Sequence, residues 1–320
     1  MQNQHELVIR IGDPATDDYD VFARLLNAAQ DGRATGDVIR EWDTKNKIDD
    51  DVIFRYAACI DDAVIGYAIV YKPATAQKNR FTVWMTIDEN HRKQGFGTTF
   101  YDFLLEKAIE HGATEIGSEC MDNSPESLAF AEKRGFTIRR HLFESELDLS
   151  TFDASQWQSV VDEVKAQGIR FSSLAGEGNT EEAQYKLFEL NAATAKDNPA
   201  SDGTYKQTFE NFQAKIVNAH WFRADGQLLA IDGERYAGLG AVGFEQDDIT
   251  AYNAFTGIDR DYRGRKIAQA LKVLGIQFAQ EQGCTCIITD NDSENAPMLA
   301  VNTKLGYQRK PGIYLLIKQI

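Results

Sequence analysis

A chain of 320 residues, 43% hydrophobic and 26% charged, is too long for one average domain and too apolar for a disordered polypeptide, so about two globular domains are expected. Its 34 basic against 49 acidic residues leave a net charge of −15, which repels polyanions over most of the surface and excludes general nucleic-acid binding. Apolar runs such as Ala63 to Val70 fall far short of the roughly 20 residues that span a bilayer. The N-terminus has no basic stretch followed by an apolar one, so a cytoplasmic protein without membrane attachment is expected.

Cys59, Cys120, Cys284 and Cys286 are too scattered for a disulfide framework, and a reducing compartment fits them. Cys284 and Cys286 lack the two-residue spacer of a redox or zinc motif; period two puts both on one face of a strand, as small hydrophobes. His5, His91, His111, His141 and His220 show no ligand spacing, so no metal is expected.

In chain order, the early stretch from Asp20 to Arg40 is helical but carries no motif. Strands follow at Phe54 to Ile60 and Ala63 to Tyr71, with the turn signal Asp61-Asp62 between them, and at Phe81 to Ile87. A polar turn leads into a helix with Phe100, Phe103, Leu104 and Ala108 on one stripe, stopped by Gly112. A further strand, a short helix and Gly135-Phe136 close the first copy. From Ser150 to Gly168 a connecting helix is expected, with Asp153 as N-cap and Trp157, Val160, Val161 and Val164 on its apolar face. The helical region Glu181 to Ala214, broken by a turn at Asp197-Asn198-Pro199, is again without motif. Strands then read at Leu228 to Asp232, Tyr236 to Phe244 and Ile249 to Ile258, and a helix at Ile267, Leu271, Leu274 and Phe278 ends at Gly283.

The order of elements is therefore repeated, and the residues repeat with it. Arg92 and Arg263, Ile87 and Ile258, Gly112 and Gly283, Lys133 and Lys304, Gly135 and Gly306, and Phe136 and Tyr307 are each 171 apart. Two domains, 1–150 and 169–320, joined by 151–168, are expected. Each is an α/β (α+β) unit with a mixed, mainly antiparallel twisted sheet flanked by helices.

Between Ile87 and Thr98 a strand end passes through Gly95 and Gly97 into a helix. The first-turn amides of such a helix lack internal partners and carry the positive end of its dipole, so they suit a phosphate. No Gly-Lys-Ser/Thr follows, and the hairpin strands ahead of the turn argue against a dinucleotide fold. With the repeat included, Ile87, Arg92, Gly95, Gly97, Lys133, Gly135 and Phe136 resemble the coenzyme A signature of the GNAT family of N-acetyltransferases. The second copy carries Thr256, Ile258, Arg263, Gly264, Arg265, Lys266, Ile267 and Ala268, then Asn291, Asn295, Asn302, Lys304, Gly306 and Tyr307. As a tandem pair the chain is similar to the two-domain members that include mycothiol synthase.

That resemblance implies acetyl-coenzyme A as carrier, with its pyrophosphate on Gln94, Gly95, Phe96, Gly97 and Thr98, and on Arg265 through Gln269. Arg92, Lys93 and Arg263 would add charge. Pantetheine would run beside the strands ending at Ile87 and Ile258, with Asn291 and Asn295 near the carrier arm. It also implies an N-acetyltransferase acting on a primary amine of a small molecule or peptide, as a monomer or homodimer. The departures are Lys266 where the family has a glycine, Ser124 in place of an asparagine, and Ala131 and Asn302 where many members carry a tyrosine acid. Glu119, Tyr252 and Asn302 are the candidate catalytic residues. The polar set in the second copy favours that copy, as does the C-terminal chemistry of the related synthase; a catalytically silent or regulatory carrier-binding protein is the alternative.

Overall fold

The computed structural model describes residues 6–16, 18–30, 32–45, 52–72, 79–197, 208–245 and 249–320. These form two compact units, Met1–Arg140 with Ile313–Ile320, and His141–Gly312.

In unit 1, β1 (Val8–Ile11) and the helices α1 (Asp18–Gln30) and α2 (Gly36–Lys45) precede the meander β2 (Val52–Ile60), β3 (Ala63–Lys72) and β4 (Arg80–Ile87). Asp61 and Asp62 turn the first hairpin at φ +47° and +67°, a left-handed pair that aspartate tolerates better than most side chains. After α3 (Phe96–Glu110), β5 (Glu115–Met121) returns parallel to β4, and α4 (Pro125–Glu132) leads into β6 (Thr137–Asp148). The expected stripe on α3 is buried: Phe100, Leu104 and Ala108 reach full burial against Phe81, Val83 and Ile116 of the sheet. On the other face Tyr19, Phe22, Ala23 and Leu25 of α1 pack on Ala57, Tyr67 and Trp84.

Unit 2 repeats the plan with α5 (Gln158–Lys165), β7 (Arg170–Ser173), α6 (Glu181–Ala195), α7 (Phe209–Phe212), β8 (Gln227–Asp232), β9 (Arg235–Phe244), β10 (Thr250–Ile258), α8 (Ile267–Glu281), β11 (Cys286–Asp292) and α9 (Ala296–Leu305), and the chain ends in β12 (Gln308–Gln319), whose residues from Ile313 onward belong to unit 1. The connector is not one helix. Asp153 caps a short 3-10 turn, Ala154–Trp157, accepting from the Ser155 amide at 3.0 Å, and α5 continues from it with Val161 and Val164 buried. Cys286 opens β11, whereas Cys284 lies before it, buried; all four cysteines are free thiols.

Within each unit the described strand pairing is mainly antiparallel, with β4–β5 parallel in unit 1 and β10–β11 parallel in unit 2. The compact units part at 140/141 and 312/313. The reason is hydrogen bonding along β6 and β12, each 12 residues long. Leu142–Asp148 of β6 pair with β11, and Ile313–Gln319 of β12 pair with β5, so the last strand of the chain belongs to the first sheet.

Candidate active site

In unit 1 the pairing of β4 with β5 ends after Arg80–Thr82 and Glu115–Gly117. Beyond it lies a cavity of about 850 Å³ between Val83–Ile87 of β4 and Ser118–Met121 of β5. Its turn is built locally. The Asp88 carboxylate accepts from the Asn90 amide at 3.1 Å, and Arg92 folds back so that Nε donates to the Ile87 carbonyl at 2.9 Å. Lys93 and Gly95 then adopt left-handed φ values of +62° and +93°. Gly95 heads α3 with no side-chain cap, which leaves first-turn amides available to an anion, and a Cβ there would meet no atom within 4 Å.

Of the residues expected to hold a carrier in this copy, Ile87, Arg92, Lys93, Gly95, Gly97 and Thr98 line the cavity; Gln94 and Phe96 do not. Thr98 Oγ1 accepts from Arg134 at 2.7 Å, and Lys93 pairs with Glu126 at 2.9 Å. Glu119 is on the cavity wall with Oε1 accepting from Gln30 at 2.9 Å.

The second copy differs at the same register. Gly264 and Lys266 hold its left-handed positions, φ +76° and +64°, so the glycine and lysine have exchanged places relative to Lys93 and Gly95. A side chain in that region costs about 1 kcal/mol or more. The turn's cations are paired: Lys266 with Glu163 at 2.7 Å, Arg265 with Gln167 at 2.9 Å, and both Arg260 and Arg263 with Asp197. Hydrogen bonds from Arg260, then Arg263, hold the Asp197 carboxyl well below the usual carboxylate range. Asn198 and Pro199 of the expected turn lie outside the described residues. Arg263 Nε donates to the Ile258 carbonyl at 3.2 Å, as Arg92 does to Ile87, while Ile258 and Ala268 are half-buried and Ile267 is core.

Between β10 and β11 the interior is polar. Lys272 Nζ donates to Asn253 Oδ1 at 2.5 Å and stands 5.1 Å over the Tyr307 ring. Thr289 Oγ1 donates to the Asn253 carbonyl at 3.0 Å, Asn291 Nδ2 to Ser145 at 3.0 Å, and Asn302 Nδ2 to Asn291 Oδ1 at 2.7 Å. Thr256 Oγ1 reaches Asn253 at 3.4 Å. Burial without a carboxylate hydrogen bond pushes the Lys272 ammonium down to about 7, and burial raises the Tyr307 phenol. Among the described residues two buried side-chain atoms have no partner, Gln269 Nε2 and Asn302 Oδ1. The polar set read as a substrate surface is therefore largely interior: Asn291, Asp292 and Asn302 are buried, and Asn295 heads α9 with its carbonyl accepting from Leu299 at 3.0 Å. Sequence reading missed Asn253 and Lys272. The signal was present in the repeat, since Lys272 stands 171 residues after Tyr101, a core aromatic.

On the other face of unit 2 a cavity of about 400 Å³ lies among α6, Phe212, Trp221, β9 and β10. Ala254 lines it and is the extra residue of a bulge, because the β10–β9 register shifts between Asn253 and Phe255. The β3–β4 ladder of unit 1 runs from Thr82 to Ile87 without a shift. Tyr252 lines the same cavity and donates to Asp290 Oδ2 at 2.8 Å; burial, then the Asp290 charge, hold its phenol well above its usual value. Among the described residues no cluster of three His, Cys, Asp or Glu is arranged to hold a metal, and no helix is long and apolar enough to cross a membrane.

The acetyltransferase (GNAT) family profile matches twice, at residues 20–136 and 195–307, which is most of the chain. The chain belongs to the GNAT family. It is an acetyl-coenzyme A-dependent N-acetyltransferase with two tandem GNAT domains. Its relatives include mycothiol acetyltransferases from Saccharomonospora viridis, 26% identical with 68% of each chain covered, and from Amycolatopsis mediterranei, 23% identical over 79% of this chain and 80% of that one. Among solved structures, this GNAT chain shares its fold with a GCN5-related N-acetyltransferase from Sphaerobacter thermophilus, at TM-score 0.67, 19% identity and coverage of 98% and 95%. A tandem GNAT protein from the clavulanic acid biosynthesis pathway is similar at TM-score 0.62 and 18% identity, covering 98% of each chain.

Proposed function

We propose that the acceptor is a primary amine of a small molecule or peptide, that transfer takes place in unit 2, and that the slot in unit 1 holds a second carrier. The observation that supports unit 2 is the bulge at Ala254, on the wall of a cavity. A bulge frees backbone from the ladder, and a free amide beside bound substrate is a donor for oxygen on which negative charge develops.

The residues of unit 2 fit the carrier. Gln269 Nε2 is an unused donor and Asn302 Oδ1 an unused acceptor, the two functions that an amide-bearing arm satisfies. The uncapped start of α8 and Lys266 suit its diphosphate. Acetyl-coenzyme A supplies the acetyl thioester. Tyr252, held protonated, takes one proton from the acceptor ammonium at Oη while its own hydroxyl proton passes to Asp290 Oδ2, so no free phenolate is required; the neutral amine then forms the C–N bond as the thioester C–S bond breaks, and the surplus N–H proton goes to the departing thiolate. Asn302 acts by position, fixing Asn291 as well as the arm. Glu119, the counterpart of Asp290 at the 171-residue offset, and Gln30 close one end of the unit 1 slot. Four free thiols fit work in a reducing cytoplasm, as a monomer or homodimer.

Thiol release with an amine panel tests this in Gly95→Trp and Lys266→Glu. Turnover is expected to collapse in Lys266→Glu and to persist in Gly95→Trp, with one fewer carrier bound. Loss in Gly95→Trp alone overturns the assignment to unit 2.

A further inference from the structure

The cavity beside Ala254 narrows the acceptor chemistry. Four rings stand in its walls among aliphatic side chains: Phe212, 1% exposed, with Trp221, Phe255 and Tyr252. Trp221 meets Tyr252 edge-on, centroids 6.2 Å apart at 88°. The Trp221 main chain is seated against β9, where its carbonyl accepts from the Phe244 amide at 3.3 Å and lies so near Gly243 that a Cβ there would come within 1.8 Å.

The hollow belongs to these side chains and not to the fold. Gly66 opposite Ile87 in unit 1 corresponds to Gly238 opposite Ile258 in unit 2, which makes Tyr67 the counterpart of Leu239 and Arg55 that of Gln227. In unit 1 Arg55 and Tyr67 fill the space, with Asp43 bound to Arg55 Nε and Nη2 at 2.7 Å each and Tyr19 donating to Asp43 at 2.9 Å. In unit 2 the shorter Leu239 and Gln227 leave it open, and the amide of Gln227 is engaged by the Arg223 carbonyl at 3.1 Å.

One end of the hollow is acidic. The Tyr252 hydroxyl donates to Asp290, and Glu245 and Glu144 also bear on that phenol. Lys310, a cation that bears on Glu144, is paired with Glu146 at 3.0 Å. An ammonium gains from this field and from the ring faces, whereas a carboxylate is repelled.

We propose that this cavity binds the acceptor and that the acceptor is a compact aromatic or branched aliphatic primary amine. Its ammonium lies at the Tyr252–Asp290 end and its hydrocarbon body lies among Phe212, Trp221 and Phe255. The role as acceptor rests on the transfer reading above; the ligand class rests on the cavity alone.

Two measurements on the full chain separate them: calorimetry of phenethylamine, phenylacetate and glucosamine without carrier, and kcat/KM for acetylation of the two amines. Ala195→Leu fills the cavity from the end of α6, and Trp221→Ala removes a wall without adding bulk. Phenethylamine is expected to bind, each variant to weaken it at least 10-fold, phenylacetate to bind at least 10-fold more weakly, and kcat/KM to favour phenethylamine over glucosamine at least 10-fold. Equal binding of phenylacetate or glucosamine, or binding that neither variant alters, overturns the ligand class. Binding as expected with no acetylated phenethylamine supports the ligand class and overturns the transfer reading.

Discussion

Lys272→Met isolates the energetics of the polar interior of unit 2. The ammonium is 4% exposed, its hydrogen bond goes to a neutral amide, and its proton affinity falls to about 7, against about 10.4 for a free lysine. The unfolded chain therefore binds more protons than the folded one between those values, and stability from this group rises with pH across the window. At about 1.4 kcal/mol per pH unit, the full cost of burying the charge approaches 5 kcal/mol below pH 7 and vanishes above 10.4. Methionine removes that cost but leaves Asn253 Oδ1 without its strong donor, a loss of about 1–3 kcal/mol. The variant should thus be more stable than the parent by about 2–3 kcal/mol at pH 6, and the advantage should shrink and reverse by pH 9.5. Urea unfolding followed by circular dichroism across pH 6–9.5 measures the difference, and Glu144, present in both proteins, cancels from it. Parallel stability curves would refute the reasoning, because they require equal protonation of Lys272 in the folded and unfolded chains.

Tyr252→Phe keeps the ring and deletes the proton path to Asp290, so kcat should fall roughly 100-fold with the amine KM little changed, by steady-state thiol release. Gly243→Ala drives a methyl into the Trp221 carbonyl, and calorimetric melting should show a loss of about 2–3 kcal/mol. Thr180 caps α6 by accepting from the Ala183 amide at 3.2 Å, and Thr180→Ala should cost about 1 kcal/mol by the same measurement. Asp197→Asn releases Arg260 and Arg263 from their shared carboxylate, so unit 2 should bind acetyl-coenzyme A more tightly at low salt, with the gain screened as salt is raised.

Much of this protein was legible in one dimension because the governing interactions are local. The glycine turn into α3, the cap at Asp153, the hairpin at Asp61-Asp62 and the stripe on α3 each depend on residues a few positions apart. The repeat made the doubled fold readable by aligning six such positions at one offset.

Tertiary structure alone decided the rest. Asn291 finds Ser145, 146 residues away, and Gln30 finds Glu119 across 89, so the lining of each slot depends on side chains that no periodicity relates. The exchange of β6 and β12 is of the same kind: both are 12-residue strands of similar pattern, and only the hydrogen-bonding edges of β11 and β5 determine where their ends belong. The sequence by itself thus determined the turns, the repeat and the family chemistry, which are short-range. The cavity beside Ala254 arises from the volume left when residues distant in the chain pack together, a quantity that exists only in three dimensions.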